Sequence, residues 1–320
     1  MRYNVSALSI KDGFHLKSGK TGYTLAVIMS GCLWGTMGFF RRNMGDLGLE
    51  SGNMVMIRCM GAAVLYALTI LFTNPSAFVI KPKDIWCFLG SGVVSLLFFS
   101  SCYFQAMSLM SLSAAAILLY TSPVFVMIMS AILFREKITV SKVLALILVL
   151  VGCLLTSGLI GSGTRISGLG LGYGLCSGFG YALYSIFSKF ALQRGYRSVT
   201  VNLYSTLFAA LGAGFIWGFR APLAIAFASG SNLILCISAA IVTTYLPYYL
   251  YTLGLVGIEA GKASIICSIE LVVAALVGLV VFGERLSLPS VIGMVLVLAS
   301  IVLLNGKEKT AAEEAQRSGV

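Results

Sequence analysis

AGKASIICSIELVVAALVGLVVF, Ala260–Phe282, holds one carboxylate, Glu270, in a run that is otherwise apolar and small beyond Lys262. At ~1.5 Å of helical rise per residue, a run of this length crosses a hydrocarbon layer ~30 Å thick. Nine more such stretches lie outward from it: Tyr23–Phe40, Asn53–Phe72, Ile85–Met107, Leu112–Phe134, Val140–Ile160, Gly168–Leu192, Val199–Phe219, Asn232–Gly254 and Leu288–Asn305. Hydrophobic residues make up 58% of the chain and charged residues 10%, with a mean hydropathy of +0.97. A soluble domain carries about 25% charged residues. At membrane depth the backbone must satisfy its own hydrogen bonds, and runs this long and uniform do so as helices, not as alternating barrel strands of ~10 residues. The composition therefore predicts an all-α integral membrane protein with ten transmembrane helices. The short connections leave no room for a soluble catalytic or receptor domain, and no Walker-type nucleotide motif is present.

The net charge of +11 is distributed unevenly. With a cytoplasmic N-terminus, one face collects Arg2, Lys11, Lys17, Lys20, Lys81, Lys83, Arg135, Lys137, Lys142, Lys189, Arg194, Arg197, Lys262, Lys307, Lys309 and Arg317. The other face holds Arg41, Arg42, Arg165, Arg220 and Arg285. This asymmetry places both termini in the cytoplasm and the chain in the cytoplasmic membrane. The basic face suits the anionic headgroups of the lipid bilayer, and nucleic acid is not an expected partner.

Eight cysteines all fall inside apolar stretches without a CxxC pair and read as small apolar fillers. The only histidine, His15, lies in the N-terminal tail, so no histidine-based metal site or catalytic triad is expected in the membrane, and no cofactor. Met1–Thr21 lacks the apolar core of a cleavable signal, which leaves the first span as its own insertion signal.

Tyr103-Phe-Gln-Ala-Met-Ser-Leu aligns with Tyr251-Thr-Leu-Gly-Leu-Val-Gly. The frame then continues without a gap to Phe134-Arg-Glu-Lys-Ile-Thr over Phe282-Gly-Glu-Arg-Leu-Ser. The offset is 148 residues. Gly31-Cys-Leu-Trp-Gly-Thr-Met-Gly aligns with Gly178-Phe-Gly-Tyr-Ala-Leu-Tyr-Ser with the offset shifted by one. Five spans per half is an odd number, so the second half inserts upside down and the two form inverted repeats. The expected organisation is a cytoplasmic tail over 1–21, a first five-helix repeat over 22–160, a second over 168–305 and a cytoplasmic tail over 306–320. Inverted repeats supply two related packings, the inward-open and outward-open states that a secondary transporter alternates between.

Trp34-Gly35 in the first span, Arg58 early in the second, Ser122-Pro123 and Glu270-Leu271 in the fourth and ninth, and Phe-x-Glu-(Lys/Arg) at their ends carry a family resemblance. The chain resembles the drug/metabolite transporter superfamily, and within it the ten-helix exporters built from two EamA-like domains. Members of that family often carry Glu-Pro in both halves; here the pair is split between them. The resemblance implies the ten-helix fold and an exporter, with substrates too varied to transfer.

Glu270 lies ~15 Å into the ninth span, where an acidic side chain must reach a wet cavity, find a partner or hold a proton. It reads as a contact for a substrate amine, a proton-coupling site, or a structural carboxylate bonded to hydroxyls. Arg58, at ~7 to 8 Å, reads as a gate, an anion site or a structural arginine. Ser177, Tyr181, Tyr184, Ser185 and Ser188 share one face of the sixth span, as do Tyr245, Tyr248, Tyr249 and Thr252 in the eighth. Their phenol rings suit an amphipathic pocket or interhelical hydrogen bonds. Trp34, Tyr103 and Tyr120 are candidates to close the same pocket, Pro123 to kink the fourth span, and Pro247 to remove a backbone hydrogen bond in the eighth that a cavity can exploit. Gly170, Gly174 and Gly178 offer a close-packing face. Glu136 and Glu284 read as caps at span ends rather than substrate contacts.

The expected function is export of small metabolites, amino acids or related amphipathic compounds, by alternating access, with protons as a candidate coupling ion. Uptake by the same fold is the alternative. A membrane enzyme lacks the clustered ligands it would need, a pore lacks a charged ring or filter repeat, and a structural subunit is the remaining reading. A reporter fused after Lys309 is expected to show cytoplasmic activity; periplasmic activity there would overturn the topology and the inverted repeat together.

Overall fold

The computed structural model describes residues 20–158 and 167–317, the last twelve of these by their backbone alone. Ten long helices cross the fold: α1 Lys20–Asp46, α2 Ser51–Thr73, α3 Pro82–Leu109, α4 Leu112–Phe134, α5 Val140–Thr156, α6 Gly168–Gln193, α7 Ser198–Trp217, α8 Gly230–Gly257, α9 Ala260–Phe282 and α10 Leu288–Arg317. Eight are long and apolar enough to span a membrane by length and composition alone. Of the other two, α5 has 17 residues, and α6 has 26 but is diluted by glycine, serine and tyrosine. Bare apolar side chains line the outer faces: Ile132, Val140, Phe215, Val280 and Leu288 are all more than 70% exposed. Only lipid makes that surface stable.

The expected span ends hold for α4 and α9, while α1 continues six residues further, through Arg41 and Arg42 to Asp46. A short helix the sequence reading missed, Arg220–Phe227, joins α7 to α8. The tail residues 1–19, with His15, and the loop residues 159–166, with Arg165, lie outside the described residues.

The two halves match in local detail. α4 breaks after Leu119 and resumes at Ser122; α9 breaks after Cys267 and resumes at Ile269. In α4 the cause is Pro123, which supplies no N–H and crowds the carbonyl four residues back. α9 has no proline, and its break instead coincides with Ser264 and Ser268 bonding back to the carbonyls of Gly261 and Ser264. Both helices end on a left-handed residue, Arg135 at φ 56° and Gly283 at φ 66°, 148 positions apart. The following amides, Glu136 N–H and Glu284 N–H, reach back to the Ser130 and Gly278 carbonyls, which are again 148 positions apart.

α3 and α8 each contain wide π turns, Gly90–Leu97 and Ile241–Tyr245, at overlapping repeat positions. Pro247 is not the common cause, because its counterpart in α3 is Phe99.

Contacts between the halves follow the same exchange. α5 packs on α10, α2 on α7 and α4 on α9; α6 packs on α3 and α4 as α1 packs on α8 and α9. The fold is therefore two five-helix inverted repeats locked across a pseudo-two-fold axis in the membrane plane. Ten crossings put both ends of the chain on one side, here called the terminal face, opposite a far face.

Lipid tails give helices no hydrophobic reason to associate, so close packing must hold them together. A Cβ on Gly31 would lie 2.7 Å from the Cys267 carbonyl oxygen, and one on Gly178 would lie 2.7 Å from that of Leu118. These two glycines are repeat equivalents, and each brings its helix against the break in the broken helix it packs on. Gly172, on the same helix as Gly178, has open space beside it. Gly178→Ala is expected to destabilise the protein by about 1–3 kcal/mol through overpacking. Gly172→Ala should be neutral or stabilising by up to about 1 kcal/mol. Thermal unfolding in detergent separates them, and equal midpoints would contradict this packing.

Candidate functional site

Between the halves lies a cavity of about 400 Å³, bordered at the far face by Arg41, Met44, Ser51 and Leu112. It narrows inward past Arg58, Phe99 and Tyr103 to a floor of Trp34, Tyr120, Tyr181, Tyr248 and Glu270. The same floor residues roof a second space of about 20 Å³, room for one water, whose other walls include Pro123, Tyr184, Ser185, Tyr251 and Ser268.

The floor is built where the breaks are. Glu270 sits in the first turn of the resumed α9 segment, where the helix N-terminus favours negative charge. Its repeat equivalent is Ser122, at the start of the resumed α4 segment. Tyr120 lines the floor together with the Glu270 carboxyl. Trp34 and its equivalent Tyr181 face each other across the axis with ring centroids 6.4 Å apart. Trp34 also meets Tyr248 edge-on at 5.0 Å, and Tyr248 meets Tyr184 edge-on at 4.8 Å.

Arg58 and Glu270 line one cavity without forming an ion pair. The Arg58 guanidinium donates to the Met37 sulfur, and its Nε is buried with no partner among the described residues.

Below the floor the molecule is shut. The Tyr184 hydroxyl donates to Asn202 Oδ1 at 2.5 Å, and Asn202 Nδ2 donates to Thr252 Oγ1 at 2.8 Å, which ties α6, α7 and α8 together. The Ser185 and Tyr251 hydroxyls share a hydrogen bond at 2.8 Å.

At the terminal mouth Lys189 Nζ donates to Glu136 Oε1 at 2.5 Å, and the Ala260 and Gly261 amides donate to the same carboxylate at 2.9 and 3.2 Å. Burial alone would raise the Glu136 carboxyl, but Lys189 and these two amides hold it below the usual carboxylate range. Such a group stabilises its contacts at pH values above the unfolded carboxylate range and loses that contribution only as the pH falls through its own lower value. The Glu136 carboxyl is therefore ionised across the neutral range. Lys142 pairs with Glu259 beside it.

Most residues singled out in the sequence converge on this site. Trp34, Arg58, Tyr103, Tyr120, Tyr181, Tyr248 and Glu270 line the cavity; Pro123 and Tyr184 line the small space beneath. Tyr245 does not join them. Its ring packs on Tyr66 at 4.6 Å and its hydroxyl bonds with Thr69, because the π turns that end at Tyr245 shift its register from that of Tyr248. Pro247 is also set apart, buried with its carbonyl accepting from Ser30.

Sequence reasoning missed Asn202, Tyr251 as a wall of the lower space, and Arg41. Asn202 is the only amide side chain in its span, a signal that was legible. Arg41 was hidden by the underestimated length of α1. Glu136 caps a helix as expected, but the helix is α9, not its own.

The EamA-like transporter family matches the chain twice, over residues 21–158 and 168–306. An uncharacterized transporter of Archaeoglobus fulgidus is 28% identical over 87% of this chain and 94% of its own length. The uncharacterized inner membrane transporter YicL of Salmonella typhimurium is 25% identical over 91% of this chain and 97% of its own. A protein of known crystal structure superimposes with a TM-score of 0.78 at 15% identity, covering 92% of this chain and 99% of that one, a likeness of fold.

Proposed function

Because the chain belongs to the EamA-like transporter family, we propose that it is a secondary transporter that exports small amphipathic solutes carrying an amine, amino acids among them, by alternating access in exchange for protons. It is a multi-pass membrane protein, and its termini are taken to be cytoplasmic from the Lys/Arg asymmetry, which makes the far face the outside. One observation carries the reading: a cavity bordered at the far face by Arg41, Ser51 and Leu112 ends on Glu270, the one carboxylate in its lining, while the Tyr184–Asn202–Thr252 bonds and the Lys189–Glu136 pair hold the helices together on the terminal side. A channel would be open at both.

The lining supports the solute class. Eight aromatic side chains line the cavity: Trp34, Tyr103, Tyr120, Tyr181 and Tyr248 offer apolar faces with polar rims, and Phe40, Phe99 and Phe104 add apolar surface. Glu270 at the floor suits an amine, and the incompletely partnered Arg58, with Arg41 above it, suits an anionic group at the other end of the solute. Glu270 also supports the direction. A carboxylate that holds either a proton or an amine, but not both, makes the two cross in opposite senses. An inward proton gradient then drives the solute out. Uptake would need both to travel together, which one carboxylate at the floor does not favour.

In proteoliposomes preset acid inside, uptake of an amine-bearing solute is expected to accelerate, and Glu270→Gln should abolish that acceleration. Loss of a charge-assisted hydrogen bond predicts about tenfold or more weaker apparent affinity as well. A folded Glu270→Gln protein with the native gradient response would overturn the coupling role.

A further inference from the structure

The mouth contacts are repeat equivalents in two different conditions. At the terminal face Glu136 is paired with Lys189, and their side chains are 7% and 14% exposed. The equivalents, Glu284 and Arg42, pair at 3.6 Å at the far face with side chains 59% and 56% exposed. The correspondence extends to the rings beneath: Lys189 lies 5.5 Å from the Phe134 ring centroid and Arg42 lies 3.9 Å from that of Phe282. Phe134 and Phe282 are again 148 positions apart.

One contact is present on one side only. Glu136 crosses the closed mouth to accept from the Ala260 and Gly261 amides that begin α9. Their equivalents, the Leu112 and Ser113 amides that begin α4, make no hydrogen bond among the described residues, and Leu112 borders the open cavity. Glu284 does not reach them. Its carboxylate lies back over Gly278, where the absence of a side chain leaves room that Ser130 fills in the other half.

We propose that Glu136 and Glu284 are alternating latches. In the state seen here, Glu136 clamps the start of α9 and the far mouth stands open. In the opposite state Glu284 leaves its bed over Gly278 and clamps the Leu112 and Ser113 amides, with Arg42 in the place of Lys189, while Glu136 lets go. Each latch sets a carboxylate on the first amides of a helix, where the unpaired N–H groups and the helix dipole both favour negative charge. Only one can close at a time, because the broken helix that carries each latch must tilt toward one mouth or the other. The inference rests on the alternating-access reading, not on the identity of the solute.

Amide hydrogen exchange on the full-length protein in lipid nanodiscs tests it without any solute. In Glu136→Gln, peptides containing Ala260 and Gly261 are expected to exchange about tenfold faster, the loss of a charge-assisted hydrogen bond. Peptides containing Leu112 and Ser113 should exchange more slowly, and adding Glu284→Gln should remove that slowing. Unchanged exchange at Leu112 and Ser113 in Glu136→Gln, or equal slowing in the double variant, would overturn the proposal. If Glu136→Gln raises exchange globally through misfolding, Glu284→Gln alone decides. Its side chain is exposed here, so the variant should keep native protection in α9 yet lose about tenfold in solute exchange rate; an unaltered rate would overturn the latch. Reciprocal protection with no detectable transport would leave the latches standing and remove the solute assignment instead.

Discussion

A backbone break in hydrocarbon leaves amides and carbonyls that no water can satisfy, unless the break faces protein or a wet cavity. α4 and α9 both break near mid-membrane, and that constraint places the site. Gly178 and Gly31 press α6 and α1 against the two breaks, while Thr121, Ser264 and Ser268 bond back to nearby carbonyls. The remaining polar requirement opens into the space between the halves, where the Glu270 carboxyl lines the cavity floor. Had either helix been continuous, the cavity floor would have had no helix start to hold the carboxylate.

Symmetry supplies the two packings, and the departures from it supply the chemistry. Ser122 stands opposite Glu270, Ser268 opposite Tyr120, and Lys189 opposite Arg42. A perfectly symmetric carrier would have two equal carboxylates and no preference between mouths. Here the closed mouth holds a buried ion pair with two extra amide contacts, and the open mouth holds a solvated pair of the kind worth at most about 1 kcal/mol.

Much of the fold was legible because apolar length and turn chemistry agree in this chain. Leu112–Phe134 and Ala260–Phe282 could be read to the residue, and the gapless frame from Tyr103 to Thr139 reappears as matched breaks, matched left-handed caps and matched capping bonds. α1 was read short because Arg41 and Arg42 look like a loop start, although a helix that ends in a mouth can carry them. Tyr245 was misplaced because a 3.6-residue period was extended across π turns that no composition announces. Glu136 was identified as a cap, but which helix it caps depends on α4 and α9 meeting at the terminal face, a tertiary fact. The cavity lining fared better because polar atoms in a membrane helix have few places to go.

Alternating access exposes one site to each face in turn. Counterflow in proteoliposomes tests it most directly: vesicles preloaded with unlabelled solute are diluted into a trace of labelled solute with no gradient of pH or potential. Alternating access predicts a transient, saturable accumulation of label above equilibrium, because outward-moving solute returns the site to the far face. Passive, non-saturable equilibration without overshoot, for a solute shown to bind, would contradict it.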